Sequence, residues 1–526
     1  MPGRLVLHAL WIATALRLLL PSAADPDLWG HLLFGSLLLQ GTLPAVNGFA
    51  YTAADHPWIN HEILAEVAMA AVWNVGGAPG LVALKVVVGL ATLWIVWRTA
   101  ERRSGDPTAA CLATILAAAV MLPGFMIRPQ LFTLLFLAAT LAVLARADYR
   151  PRGRVWLLLP LAVVWTNTHG GVLAGVGLAG AGMAAGLAAR LWRGAADARD
   201  VGATALFVAL LAGTLVANPY GLELVRFLVL DVTPGVPITE WAPVALGDLS
   251  FPLFKLLLVV VAVGVLRGAA VRPAEAAVVV LTAGAALLHR RHIPLFAIAA
   301  APLLAALLAE ALRVAASRVP LRALRVGLAG AAALQIALAS VAGVQARGRI
   351  VVDPWTYPVQ ALRFLAQNGI GGNVALPFRW GEYALWSLPP GSRVAVDGRF
   401  TTAYPEALLA TVWEFMRGGP EWEALLTDYP TDVVVADRRQ APARLLRSHA
   451  EWQYVYSDPV SVIFLRRVPS QAATLARFDA GALHYERGPL EVDFPGVHAL
   501  PEGAIPAPSR DCRLAARPCR ARDAAC

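Results

Sequence analysis

Apolar runs close to the roughly twenty residues needed to cross a bilayer recur from the N-terminus to about residue 345. Nothing else restricts the fold as much, because a segment in hydrocarbon must satisfy its backbone polar groups internally and is therefore helical. The length criterion places spans at 5–23, 79–97, 107–124, 130–146, 155–169, 171–190, 202–217, 252–267, 274–289, 293–310 and 324–344, about eleven in all. With 58% hydrophobic and 15% charged residues, a soluble globule is excluded, and the expected fold is a polytopic α-helical membrane protein. Arg17 interrupts the first run and Ser22-Ala23-Ala24 follows it, so a cleavable signal peptide competes with a retained first span. The charge inside the apolar stretch argues for the retained span.

The net charge of +9 does not point to nucleic acid, and no such partner is expected. The arginines sit just outside the apolar runs, and they alternate. One set of connections holds Arg4; Arg98, Arg102 and Arg103; Arg146, Arg150, Arg152 and Arg154; Arg190, Arg193 and Arg199; Arg267 and Arg272; and Arg313, Arg318, Arg322 and Arg325. The positive-inside rule assigns that set, with the N-terminus, to the cytoplasm of a multi-pass protein of the cell inner (plasma) membrane, and everything after residue 345 to the outside.

The other connections are poor in arginine and rich in unusual polar sequence: the long opening loop 25–78, then IRPQ around Arg128, WTNTHGG around His169, NPYG at 218–221, Thr239-Glu240-Trp241, and His289-Arg290-Arg291-His292. Polar groups at membrane depth cost roughly 2.5–3.5 kcal/mol each, so segments that gather them on one face mark a site or a cavity. In Asp25-Pro26-Asp27, two carboxylates at alternate positions suit a general base or a pair of oxygen ligands for a divalent cation such as Mg or Mn. Asp27 equally suits the N-cap of an apolar helix lying on the membrane surface, 28–40. His31 falls one helical turn later and faces the same way. Asn60-His61-Glu62 precedes a second, partly amphipathic helix at 63–75; His61 and Glu62 suit substrate orientation or proton transfer, and Asn60 suits a cap.

Arg128 has no acidic neighbour in sequence, and with Arg290 and Arg291 it stands on the side where positive charge is disfavoured, so an anionic group such as a phosphate is the expected compensation. His169 reads as a buried structural histidine or as a substrate contact, with Gly170-Gly171 allowing close backbone approach in a short re-entrant turn. Glu240-Trp241 reads as a sugar-binding pair or as part of an interfacial belt.

From 349 to 468 the composition becomes that of a soluble α/β unit. Strands are expected at 373–376, 393–396, 432–436, 454–456 and 461–465, and helices near 358–368, 405–417, 420–428 and 441–449, forming a small, mostly parallel sheet. Arg379 to Tyr383 and Asp397-Gly398-Arg399 follow strand ends, where such sheets place ligands. This domain is expected to act as a lid or acceptor-recognition module. Residues 469–526, with Cys512, Cys519 and Cys526, are expected to be a disordered tail.

Taken together, DPDLWGHLLFGSLLLQGTLPAVNGFAYT, HPWINHEILAEV, RPQLFTLLFLA, WTNTHGGVLAG, NPYGLEL, ITEW, RHIPLFAIA and RWGEYALW…VAVDGR resemble a group of bacterial integral membrane proteins related to polyprenyl-phosphate-dependent glycosyltransferases of the GT-C fold. The resemblance covers most of residues 1–468. It implies a membrane transferase whose first outer loop carries an acidic base or metal ligand, here Asp25 or Asp27, and whose later helices hold the lipid phosphate through basic residues, here Arg128 and Arg291. It implies a polyprenyl-phosphate-linked sugar donor, a glycan, lipid or protein acceptor, and membrane lipid as partners. Members of the group tend to carry a second tryptophan after Trp29 and a glycine at the position of Glu382; this chain has Gly30 and Glu382. The competing expectations are a transporter or flippase for an anionic lipid-linked saccharide and a non-catalytic envelope scaffold, but no internal repeat of the transporter kind is present.

Overall fold

The computed structural model describes residues 2–231, 238–267, 271–316, 321–486, 488–489 and 492–497. The helices follow the apolar runs: α1 (Pro2–Leu19), α2 (Leu28–Leu39), α3 (Ile63–Ser104), α4 (Pro107–Met121), α5 (Gln130–Arg146), α6 (Leu158–Thr166), α7 (Val172–Trp192), α8 (Ala198–Gly213), α9 (Leu222–Arg226), α10 (Pro252–Leu266), α11 (Pro273–Leu288), α12 (Ile293–Ala316) and α13 (Leu321–Ala346). Each expected span holds one of these helices, and six segments are long and apolar enough to cross a membrane: 63–104, 107–124, 172–192, 198–216, 290–314 and 326–346. The chain is a membrane protein. Arg17, the charge in the first run, gives its Nε–H to Gln335 of α13 at 2.9 Å.

Two expected elements are one. The helix expected at 63–75 and the span at 79–97 join in α3, which bends where Gly77 takes φ 54°, just before Pro79. Asp106 accepts from the amides of Thr108 and Ala109 to start α4, with Pro107 in the first turn.

Past α13 the chain forms β1 (Val351–Val352), α14 (Val359–Asn368), β2 (Asn373–Ala375), α15 (Phe378–Ser387), β3 (Arg393–Val394), α16 (Glu406–Arg417), α17 (Ala424–Asp428), β4 (Val433–Asp437), α18 (Pro442–Leu445), β5 (Trp452–Ser457), β6 (Ser461–Arg466), α19 (Ala472–Asp479) and β7 (Val492–Asp493). The sheet order is β3-β2-β4-β6-β5. It is mixed rather than mostly parallel: β2 runs parallel to β3 and β4, but β6 is antiparallel to β4 and β5. The reason is local. The turn between β5 and β6 is too short for a crossover, and Asp458 closes it by accepting from the amides of Val460 and Ser461.

Two further expectations are corrected. α2 does not lie on the membrane surface. Residues 28 to 37 are buried on every side, as an all-round apolar helix requires, because α2 is clamped between α3 and α15. The opening loop then runs beside β3, where Val394 exchanges backbone bonds with Phe49 and Tyr51, both at 3.1 Å. Leu28, Trp29, Phe34, Phe49 and Trp58 therefore share one core with Val374, Tyr383 and Val394. Nor is the segment after 468 wholly a tail: α19 is folded, β7 pairs with β1, and Trp29 gives its indole N–H to the Pro495 carbonyl at 2.8 Å. Arg318 and residues 498–526, with Cys512, Cys519 and Cys526, lie outside the described residues.

Candidate active site

The turn after α1 sets Asp25 and Asp27 side by side, with the Asp27 amide donating to Asp25 Oδ1 at 3.1 Å. Arg128, delivered by the short link between α4 and α5, reaches both. Its Nε lies 3.2 Å from Asp25 Oδ1, Nη2 bonds Asp27, and Nη1 bonds Glu240 Oε1 at 2.8 Å. The expectation that Arg128 awaits an anion is corrected, because its counter-charges come from the opening loop and from the Thr239–Trp241 turn. Asp27 makes no capping bond to α2, since its carboxylate is turned to Arg128. Burial raises the Asp27 carboxyl to about 7, with Arg128 opposing and Asp25 adding to the rise. Burial likewise raises Asp25, against Arg128. Arg128, although buried, is held firmly protonated by Asp25, Asp27 and Glu240.

The divalent cation implied for Asp25 and Asp27 does not fit. A guanidinium already lies against both carboxylates.

Glu62, the residue before α3, stands among three imidazoles, with His31 Nδ1, His61 Nε2 and His169 Nε2 each 3.7 Å from one of its oxygens. Burial would raise its carboxyl, but His61, His31 and His169 outweigh it and hold the group at about 2. His169 is pushed down to about 3 by burial, and its ring is neutral. Its Nδ1 accepts the Gly171 amide and lies 2.9 Å from Thr133 Oγ1, so the ring proton sits on Nε2, toward Glu62. The close approach expected at the glycines is present: a methyl on Gly170 or Gly171 would fall 2.6 Å from Leu228 Cδ2 or Thr133 Oγ1. The Tyr220 hydroxyl of NPYG receives the Asn60 amide at 3.1 Å.

Arg291 lies over the Trp241 ring, 4.4 Å from its centroid, and has no ion pair among the described residues. Arg290 turns aside, over Phe251 and onto the Pro243 carbonyl.

These groups enclose a polar chamber of about 160 Å³, lined among others by Asp27, His31, Glu62, Arg128, Arg291, Glu382 and Arg399. Beside it runs an apolar groove of about 540 Å³, walled by Leu134, Leu173, Leu228 and Leu295 and edged by Arg290 and Arg291. His61, His169, Glu240, Trp241 and Arg291 line both spaces. Asp25 lines neither. At the opposite end of the bundle, Arg102, Arg103, Arg146 and Arg272 gather around one smaller cavity.

No family model and no curated relative matches the sequence. Among solved structures, the chain is similar to the oligosaccharyltransferase of Archaeoglobus fulgidus, solved tethered through a disulfide bond to an acceptor peptide containing the NVT sequon. The TM-score is 0.54 over 83% of this chain and 69% of that one, at 14% identity. It is also similar to ArnT from Cupriavidus metallidurans in the apo state, with a TM-score of 0.50 over 89% of this chain and 98% of that one, again at 14% identity. The chain has the GT-C fold.

On this GT-C scaffold the chamber is roofed by the domain after α13. Glu382 of α15 and Gly398 to Thr402 line it; the strand-end reading pointed to Glu382, Gly398 and Arg399, whereas Phe400, Thr401 and Thr402 carried no such signal. Burial, with Asp27 and Asp397 nearby, raises the Glu382 carboxyl well above its ordinary range. Arg399 is fixed by Asp397 at 2.6 Å and by Asn47 at 2.6 Å, inside a cage that includes Phe34 and Trp58. Glu66 was also missed. It falls one turn after Glu62, a spacing that puts both on one helix face. The two departures from the pattern the chain resembles, Gly30 and Glu382, touch each other.

Proposed function

We propose that the protein is a membrane glycosyltransferase that moves a sugar from a polyprenyl-phosphate donor to an acceptor hydroxyl, with inversion. The observation that carries the reading is the junction of the two spaces: an apolar groove meets a polar chamber at Arg291, a guanidinium with no carboxylate partner among the described residues. An isoprenoid chain suits the groove, its phosphate suits Arg291, and its sugar then enters the chamber that Asp27 lines. The acceptor oxygen attacks the anomeric carbon and gives its proton to Asp27. The bond from that carbon to the phosphate oxygen breaks, and its electron pair leaves with the phosphate, toward Arg291. Asp27 serves as the base rather than Asp25, which is sealed behind Arg128. His61, His169 and Glu240 position substrate at the junction. The chamber side faces the exterior of the inner membrane, the arginine-rich end faces the cytoplasm, and the outer domain selects the acceptor.

Transfer of labelled sugar from a polyprenyl phosphate tests this. Asp27→Asn should lower turnover by about 10²–10⁴-fold, and Arg291→Ala should weaken donor use, while both proteins remain monodisperse. Undiminished transfer by Asp27→Asn would remove the base, and movement of labelled donor across vesicles without transfer would favour a flippase.

A further inference from the structure

We propose that His31, Glu62 and Glu66 form a binding site for one divalent transition-metal cation, of the zinc or manganese kind, opening onto the chamber. His31 Nδ1 lies 3.4 Å from Glu66 Oε1 and 3.7 Å from Glu62 Oε2, and one ligand atom from each residue lies within 4.8 Å of the others. Charge-assisted hydrogen bonds close to about 2.7–2.9 Å, and these do not. Two ligands bound at about 2.0–2.2 Å around a tetrahedral ion stand about 3.4 Å apart, which the His31–Glu66 pair matches at 3.4 Å and the His31–Glu62 pair approaches at 3.7 Å.

The local fold builds that geometry. Glu62 stands just before α3 and Glu66 in its first turn, four residues apart, with the Glu66 amide donating to the Glu62 carbonyl at 2.9 Å. α2 reaches them because Gly35 lies against the Glu66 backbone, where any side chain would collide with the Glu66 carbonyl. Asn60 fixes the Glu66 carboxylate and the Glu62 backbone from behind: its Nδ2 donates to Glu66 Oε2 at 2.6 Å and its Oδ1 accepts the Glu62 amide at 2.9 Å. That leaves Glu66 Oε1 facing His31, the outer-shell support that metal-binding carboxylates receive.

His31 and Glu66 are 7% and 2% exposed, so two acids and one imidazole are gathered out of water. The guanidinium of Arg128, which lines the same chamber, is committed to Asp25, Asp27 and Glu240. His31 Nε2 is buried without a hydrogen-bond partner among the described residues, although the ring borders the chamber. One imidazole with two carboxylates suits Zn²⁺ or Mn²⁺ better than Mg²⁺, which favours six oxygens and keeps its waters. Because all three residues line the chamber, the remaining coordination positions face it. The site stands whether or not sugar transfer is the activity.

The test uses the full chain in detergent, stripped with chelator and then titrated with Mn²⁺, followed by loss of the free-ion paramagnetic signal, and with Zn²⁺, followed by elemental analysis. One ion per chain is expected, with a rise in the thermal midpoint. Asn60→Ala should weaken binding by about 10–100-fold, and Glu62→Gln with Glu66→Gln should abolish it. Asp25→Asn with Asp27→Asn should leave it in place. If the double Gln protein does not fold, the wild-type stoichiometry and the Asn60→Ala shift decide. Absence of a stoichiometric ion in the wild type, or binding lost in the Asp variant and kept in the Gln variant, would overturn the site.

Discussion

The amide of Gly30 donates to Glu382 Oε2 at 3.1 Å, joining α2 to α15 across 352 positions of sequence. A methyl group on Gly30 would meet the Glu382 carboxylate, 2.8 Å from Oε1 and nearer still to Oε2. Gly30→Ala should therefore destabilise the protein by about 1–3 kcal/mol, as overpacking does. Glu382→Ala in the same chain should recover most of the loss. Thermal unfolding of the four proteins of this double-mutant cycle measures the coupling; additive effects would show that the contact carries no energy.

Arg128 pairs with Asp25, Asp27 and Glu240 at once, the one guanidinium among the described residues to do so. Arg128→Met leaves the buried Asp25 carboxylate without a counter-charge, at a cost of about 3–5 kcal/mol. Arg128→Lys should rescue little, because an ammonium does not present the planar fork that reaches three carboxylates at once. Equal thermal midpoints for the Lys and wild-type proteins would refute this arrangement.

The Asp27 carboxyl titrates at about 7 in the folded protein against an ordinary value of 3.8. A base must be deprotonated, so transfer should rise as pH increases through about 7 and level off above it. Stability should run the other way. The folded state holds a proton that the unfolded state has lost, so this contribution is full below pH 3.8 and fades as pH rises through about 7. Rate and thermal midpoint recorded across that window check both signs, and Asp27→Asn should flatten both responses.

Arg399 holds the opening loop to the outer domain, since its guanidinium joins Asp397 to Asn47 and fills a ring cage with Phe34 and Trp58. Arg399→Met leaves Asp397, which is fully buried, without its counter-charge, again at about 3–5 kcal/mol. Limited proteolysis should then cut within 40–57, a stretch that the wild type protects. Unchanged cleavage would mean that the loop is held by other contacts.

The sequence was most informative where the signal is local. The apolar run at 130–146 is α5 residue for residue, because span length and polar ends lie in the same short window. The gathering of the polar motifs was also legible, since alternation of arginines sorts the connections by side. Pairing was not. Arg128 and Glu240 are 112 residues apart, and nothing near either one announces the other. The orientation of α2 was misread because an apolar helix looks the same whether lipid or protein covers it. The hairpin of β5 and β6 was within reach, as the gap between the two expected strands is too short for a parallel crossover.

The opening loop borders β3, and Trp29 rests its indole on Pro495. During synthesis, then, the opening loop emerges well before Val394 and Pro495, its partners beyond α13. In that interval α2 has lost solvent on one side only, leaving a sticky apolar surface for a chaperone or the lipid boundary to shelter. The chamber region is thus completed only when the segment around Pro495 is in place, and a chain stopped before it would lack the contact that Trp29 makes there.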